Sequence, residues 1–226
     1  KRDLRIYDNP ALAAASKKAI IIPIFIFEPE LWRDCDHSYR HYVFMKNALI
    51  DLDNQLRSLG SRLTVLVGSP VEVLSEICLK YKVKRIWSNQ ETWNLRSYQR
   101  DLAVKSWSKN KNIEWIEKPK NGVIRNLDNR DNWSREWYAQ MQKAILPAPG
   151  KITSPKITSD FLPDPSNLNL NVNQKISVQV PTRHDAVKTL KSFLYSRGKN
   201  YRYEMSSPTT AEGSCSRISP YLAFGQ

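Results

Sequence analysis

A chain of 226 residues accommodates one large domain, or one domain and part of another, and its 41% hydrophobic content is enough for a real core, which excludes a disordered tail. Its net charge of +13 favours polyanionic partners such as nucleic acid, phosphorylated cofactors or acidic membrane surfaces, with a merely basic surface as the plain alternative. Cys35, Cys78 and Cys215 are odd in number, far apart and without metal-ligand spacing, which argues against a disulfide framework or a zinc site and for a reducing, cytoplasmic setting.

The opening KRDLRIYDNP carries charge without the apolar core of a signal peptide, and no apolar run reaches membrane-spanning length. The absence of an initiating Met raises the expectation of residues ahead of Lys1. In DNPALAAASKK, Asp8 or Asn9 caps and Pro10 starts a short helix. AIIIPIFIFEP, Ala19 to Pro29, is a β-branched and aromatic run, as expected of a strand buried on both faces. Tyr42, Met45, Leu49, Leu52, Leu56 and Leu59 then recur at helical spacing, with Gly60 at the left-handed cap.

RLTVLVG reads as a strand, SPVEVLSEICLKY as a helix opened by Ser69 and Pro70, and VKRIWSN as a strand. SYQRDLAVKSWSKN is helical and IEWIEK a short strand. The alternation predicts an α/β class with a Rossmann-like, doubly wound parallel sheet. Ligands of such sheets sit beyond the carboxyl ends of the strands, here marked by EPELWRD, GSP, SNQETWN and EKPKNG. Gly68 to Pro70 makes either a phosphate cradle or a plain turn, and no dinucleotide or triphosphate fingerprint is present.

Past Pro147 the composition turns to Pro, Ser, Thr and Asn without a period, as in a long connector. Thr182 and Asp185 stand at capping-box spacing ahead of a helix with Val187, Leu190 and Leu194 on one stripe. The boundaries expected are 1–146 for the α/β domain, 147–181 for the linker and 182–226 for the beginning of a helical domain. Near the end, Ser206, Ser207, Thr209, Thr210, Ser214, Ser216 and Ser219 surround Arg217, which suits a phosphate and equally suits an ordinary capped loop.

KRDLRIYDNPAL resembles the RDLR-x-x-DN motif of the photolyase and cryptochrome flavoproteins, and SCSRISPYLAFG resembles their flavin-binding signature. YQRD, WIEKPKNGVIR and RDNWSREW are similar to a bacterial branch, that of the deoxyribodipyrimidine photolyases. The resemblance implies an α/β antenna domain, a linker and an all-helical FAD-binding domain. It also implies blue-light, electron-transfer repair of pyrimidine dimers in damaged DNA by reduced FAD, a carbon–carbon lyase activity. The competing expectation is a cryptochrome-type photoreceptor that repairs nothing. By the same resemblance the family's first strand lies ahead of Lys1, the truncated helical domain continues past Gln226, and this stretch alone neither retains FAD tightly nor repairs DNA. A monomer that does not enter membranes is expected.

Carried over residue by residue, Tyr201, with Tyr203 as near competitor, matches the tyrosine near the flavin phosphates. Cys215, Ser216, Arg217, Ile218 and Ser219 match the segment that holds the diphosphate, Cys215 replacing a frequent threonine. For the antenna chromophore, a folate or a deazaflavin, the matching candidates are Arg2, Asn89, Gln90 and Glu91, with Trp93 where a glycine is frequent. The competing role of the Asn-Gln-Glu group is a capping turn. Trp87, Trp93, Trp107, Trp115, Trp133 and Trp137 show no relay spacing, and Trp107 and Trp115 are expected in the core, with Trp133 and Trp137 as one helical stripe. His37, His41 and His184 have no partner set for a metal or a triad, and no residue visible here is assigned a catalytic role.

Overall fold

The computed structural model describes every residue except Lys18, Ala19, Cys35, Asn126, Asp128 and 174–176. Expectations for Cys35, and for Ala19 at the head of the first strand run, therefore lie outside the described residues. Asn9 closes one of the alternatives at the first helix: its side chain accepts from the Leu12 amide at 3.1 Å and caps α1 (Pro10–Ala15), with Pro10 in the first turn. Asp8 instead turns through a left-handed conformation, φ 46°.

The elements follow in the expected alternation: β1 (Ile24–Phe27), the single turn α2 (Pro29–Trp32), α3 (Tyr39–Ser58), β2 (Thr64–Val67), α4 (Pro70–Lys80), β3 (Arg85–Asn89), α5 (Leu95–Asn110) and β4 (Glu114–Lys118). Strands β1 and β2 pair in parallel with Ile24 opposite Thr64, and β3 and β4 pair in parallel with Arg85 opposite Glu114. The parallel α/β character is as expected, but the strands form two separate two-stranded sheets rather than one. The run from Ile24 to Ile26, expected to be buried on both faces, is only half-buried, because one edge of β1 faces an open cleft instead of another strand.

The core lies between the β1–β2 half-sheet and α3. Phe27, Met45, Ala48 and Leu56 are sealed there, and the ring of Phe27 stacks on Trp32 and meets the edge of Tyr42. The 20-residue α3 supplies most of this face, since its apolar residues recur every three or four positions. Gly60, at φ +85°, stops it as the spacing predicts. Trp115, within β4, and Trp107, on α5, are half-buried rather than core, the Trp115 indole donating to Ser88 Oγ at 2.9 Å.

Beyond β4, α6 (Trp133–Met141) brings Trp133 and Trp137 side by side, ring centres 6.3 Å apart, but buries no residue. The connector is not a free tether. Ile152 and Ile157 are buried, Asp160 exchanges hydrogen bonds with β2, and a short 3-10 turn, Pro165–Leu168, plugs Leu168 into the core. Apolar side chains at wide intervals hold it, which is why no period is visible in its sequence.

The final region is helical: α7 (Arg183–Tyr195), a 3-10 turn (Arg197–Asn200), α8 (Tyr201–Glu204), α9 (Ala211–Ser214) and α10 (Ser219–Phe224). Thr182 caps α7, the Asp185 amide donating to Thr182 Oγ1 at 3.1 Å and that hydroxyl donating to Asp185 Oδ2 at 2.6 Å, but the Thr182 amide donates to Val180 O, so only the first half of the expected capping box forms. Val187, Leu190 and Leu194 share a face of α7 that is exposed.

Candidate functional site

Two groups of predicted residues fall in two places. The first is the turn from Cys215 to Ser219. Arg197 organises it: its Nη1 donates to Cys215 O at 2.5 Å and its Nη2 to Ser216 O at 3.2 Å, while the same guanidinium holds Thr189 O and Ser192 Oγ on α7. Gln179 Nε2 adds a bond to Arg217 O at 2.9 Å. With its carbonyls drawn inward, the turn lets Arg217 take a left-handed conformation, φ 61°, and its side chain reaches outward to an ion pair with the exposed Glu212 at 2.9 Å.

Tyr201 opens α8 on the adjoining 3-10 turn, meets the Phe193 ring nearly at a right angle with ring centres 5.7 Å apart, and is exposed. Tyr203 is more exposed still. Ser214 Oγ donates to Glu204 Oε2 and so clips α9 to α8. Ser216 and Ile218 are half-buried and Ser219 exposed, with Pro220 in the first turn of α10. The hydroxyls of Ser216 and Ser219 have no hydrogen-bond partner among the described residues, and Arg217 is tied only to a solvent-exposed carboxylate, an interaction worth little. A surface of uncommitted donors on a stiffened turn fits a diphosphate. Cys215 is half-buried and Cys78 is buried, where desolvation pushes its thiol up to about 11 and makes it inert.

Sequence reasoning missed Arg197, Gln179 and Glu204. Arg197 sits in SRGKN beside a glycine at a helix end, where an arginine is ordinarily credited to the helix dipole. Nothing local marks it as the residue that binds a turn 18 positions away.

The second place is the carboxyl end of the strands. Asn89, fully buried, spends both amide hydrogens on Asp3 Oδ2 and Asn9 Oδ1, at 2.5 and 2.8 Å, and its oxygen accepts from the Ala11 amide. Glu91 is buried among Arg2, Lys120 and Arg100 at 3.7, 3.6 and 3.9 Å. Burial pushes its carboxyl up, but Lys120, Arg2 and Arg100 outweigh this and hold it below its usual value. The Arg2 guanidinium lies 3.9 Å over the Trp93 ring, and its buried Nε has no hydrogen-bond partner among the described residues. The Gln90 amide donates to Lys118 O. Lys1, Glu28, Asp101, Glu117 and Arg125 extend this ion network. Of the four antenna candidates, Asn89 and Glu91 are thus engaged inside the protein. Arg2 keeps a buried Nε without a partner, and the Gln90 side chain makes no hydrogen bond among the described residues.

His37 packs on Trp32 and Trp93, and burial, reinforced by the charge of His41, lowers its pKa. No group of three or more metal-ligating side chains comes together among the described residues, and no described helix is long and apolar enough to cross a membrane.

The end of the chain meets its beginning. Leu4 N donates to Phe224 O at 3.0 Å, and Arg5 Nη1 donates to Gly225 O at 2.8 Å. The two motif stretches are therefore one packed unit. The family model described as DNA photolyase matches residues 1–146, well over half of the chain. The chain belongs to the DNA photolyase family. Among curated relatives, it is 33% identical to the (6-4)DNA photolyase of Arabidopsis thaliana over 125 residues, 50% of this chain and 22% of that protein. It is 30% identical to Cryptochrome-1 of Drosophila melanogaster over 128 residues, 52% of this chain and 23% of that one. A solved archaeal photolyase from Sulfolobus tokodaii, described with two FAD molecules, superposes with a TM-score of 0.68 at 24% identity, covering 100% of this chain and 50% of that chain. The chain thus spans half the length of that solved photolyase and matches under a quarter of each of the two curated relatives. At 24% identity the solved photolyase likeness establishes the fold, which is the α/β family fold expected from the strand and helix alternation.

Proposed function

We propose that the protein is a light-driven DNA-repair flavoprotein that splits cyclobutane pyrimidine dimers by electron transfer from reduced FAD. The observation that carries this reading is the pair of unpartnered Ser216 and Ser219 hydroxyls beside Arg217, whose one ion pair is to the exposed Glu212, held on a turn stiffened by Arg197, in a chain of the DNA photolyase family. In this reading Arg217 and the two serines hold the diphosphate, Tyr201 borders it, and Arg197 keeps the turn in shape. FAD supplies the electron that opens the dimer, and the archaeal neighbour described with two FAD molecules supports that cofactor. The net charge of +13 suits phosphate contacts on the damaged strand.

A cryptochrome-type photoreceptor is the second reading, favoured by the likeness to the Drosophila protein. The test is blue-light loss of thymine dimers from an irradiated oligonucleotide, with the protein at its natural length and its flavin reduced beforehand. Repair supports the lyase. Intact reduced flavin with no repair overturns it and leaves the receptor. An antenna chromophore, folate or deazaflavin, belongs to the same proposal only if Asn89 and Glu91 stay in their internal bonds and Arg2 and Gln90 supply the contacts. A near-ultraviolet absorption band separate from those of the flavin would report it.

A further inference from the structure

The connector repeats itself where it crosses the α/β domain. The sequence KITS occurs at 151–154 and again at 156–159, and each copy buries its isoleucine, Ile152 and Ile157, and fixes its serine. Ser154 Oγ pairs with Ser61 Oγ at 2.5 Å, and Ser159 Oγ accepts from the Val65 amide at 3.1 Å. The Asp160 amide then donates to Val65 O and Asp160 Oδ2 accepts from the Val67 amide, so this segment lines the outer edge of β2. Just beyond, Leu162 packs on the core, and the Tyr42 hydroxyl donates to Pro163 O at 2.7 Å. Phe161 lies between these anchors and is 98% exposed. A fraying tail would account for an aromatic ring in water, but a backbone clamped on both sides does not.

On either side of Phe161, Asp160 and Leu162 line a groove of about 570 Å³ between the connector and α3. Lys46, Ile50, Asp53 and Arg57 follow one another along its α3 wall at helical spacing, and Leu49, Leu63, Val65 and Leu162 give it an apolar lining. Its carboxylates are taken up within the protein. Asp53 Oδ1 accepts from the Leu63 amide at 2.8 Å and Oδ2 from Arg57 Nε at 2.6 Å, and Asp160 is held on the Val67 amide. Its cations are not taken up: Lys46, Arg62 and Lys156 are exposed and have no ion-pair partner among the described residues. The groove therefore joins apolar surface, uncompensated positive charge and a fixed aromatic ring in one place.

We propose that this groove and Phe161 form a docking surface for an acidic, amphipathic segment of a partner protein. Carboxylates of that segment meet Lys46, Arg62 and Lys156, while its apolar side chains cover Ile50 and the groove lining and receive the Phe161 ring. From Lys46 to Arg57 the wall is about 17 Å long at 1.5 Å per residue, which a helical segment of about twelve residues matches. A second copy of this chain is disfavoured, because it would bring the same unpaired cations together. A nucleic acid gains nothing from the aliphatic lining and would set its phosphates beside Asp53 and Asp160. An aromatic ring already held in place loses little freedom on binding, which suits Phe161 to carry a large share of the affinity. The flavin reading plays no part in the argument.

The test selects a phage-displayed library of random peptides of about twelve residues on the protein at its natural length, and measures the retained peptides against two variants, Phe161→Ser and Lys156→Glu. Peptides combining carboxylates with aliphatic or aromatic side chains are expected, with affinities that fall as salt is raised. Phe161→Ser is expected to weaken them about thirtyfold, as for a central aromatic anchor, and Lys156→Glu about tenfold. Both side chains are exposed, so the melting temperature of each variant stays at that of the parent. Retention of no peptide, or of peptides that bind parent and variants equally, would overturn the proposal. A lowered melting temperature for Phe161→Ser would do the same, since the ring would then be covered by another part of the protein. So would a dimer in sedimentation that Phe161→Ser abolishes, which gives the groove to a second copy, or an oligothymidylate that displaces the peptides, which gives it to nucleic acid.

Discussion

Arg5 and Gly225 stand 220 positions apart in the chain, and the Arg5 guanidinium donates to the Gly225 carbonyl at 2.8 Å while two of its other nitrogens hold Asp8 O. One side chain thus shapes the turn into α1 and seats the last helix against α3, where Phe44 meets Tyr221 and Phe224. Arg5→Ala is expected to cost about 1.5–3 kcal/mol, the usual worth of hydrogen bonds from a charged donor, read by urea unfolding. Arg5→Lys recovers only part, because an ammonium cannot span the two carbonyls with a fixed fork.

Gly225 is required on the same contact. Its φ is +71°, and a Cβ there would stand 2.7 Å from Arg2 O and from Asp3 Cα, both backbone atoms that cannot step aside. Gly225→Ala is expected to lower stability by about 1–3 kcal/mol and to loosen the amino-terminal turn. Gly150, with nothing within 4 Å of its Cβ position and no positive φ, is the control: Gly150→Ala leaves the melting temperature unchanged or slightly raised.

These relations mark the boundary of what the sequence makes legible. Helix starts at Asn9 and Thr182, the stop at Gly60 and the parallel strands are local matters of capping, turn chemistry and apolar run, and they are readable residue by residue. The cap at Asn94, in contrast, starts α5 two residues ahead of the SYQRD run that marks it in the sequence. The commitment of Asn89 to Asp3, Asn9 and Ala11, and the hold of Arg197 on Cys215 and Ser216, depend on contacts across the fold that no spacing rule encodes. A polar residue at a strand end reads the same whether it greets a ligand or a neighbouring turn. The divided sheet was equally hidden, since each strand is well formed by itself and only the pairing shows the gap between β1 and β3.

Asn89 offers a direct check of its role as a strut. Asn89→Leu removes the partner of the buried Ala11 amide and of the half-buried Asp3 carboxylate. The expected loss is about 2–4 kcal/mol by chemical denaturation, combining two abandoned polar groups. Asn89→Asp is expected to be no rescue, because it sets a second carboxylate against Asp3.

Glu91 predicts an acid-sensitive stability. Its carboxyl is held below the ordinary value of 4.5, so the folded chain binds this proton less readily than the unfolded one. The stabilisation is present above about pH 4.5 and is lost as the pH falls through the folded-state value. Glu91→Gln, which leaves Arg2, Lys120 and Arg100 facing a neutral group, is expected to cost about 3 kcal/mol at pH 7. The difference from the parent narrows as the pH is lowered towards 3, and unfolding curves across that range measure it.

Arg197 should govern flavin retention without touching the flavin. Its side chain faces inward, with Thr189 O, Ser192 Oγ, Cys215 O and Ser216 O around it, so its influence on a bound diphosphate passes through the main chain of the turn. Arg197→Met keeps the length of the side chain and removes every donor. Ser216 and Arg217 then lose their fixed direction, and FAD affinity in the protein at its natural length is expected to fall about 10- to 100-fold, the equivalent of one or two charged hydrogen bonds. Titration of released flavin by fluorescence measures it. Ser216→Ala, which removes one proposed direct contact but leaves the turn in place, is expected to lower affinity by about tenfold without changing protease resistance of the 197–219 region, whereas Arg197→Met loses both. Equal protease resistance in the two variants would separate Arg197 from the shape of the turn and leave its proposed role without a basis.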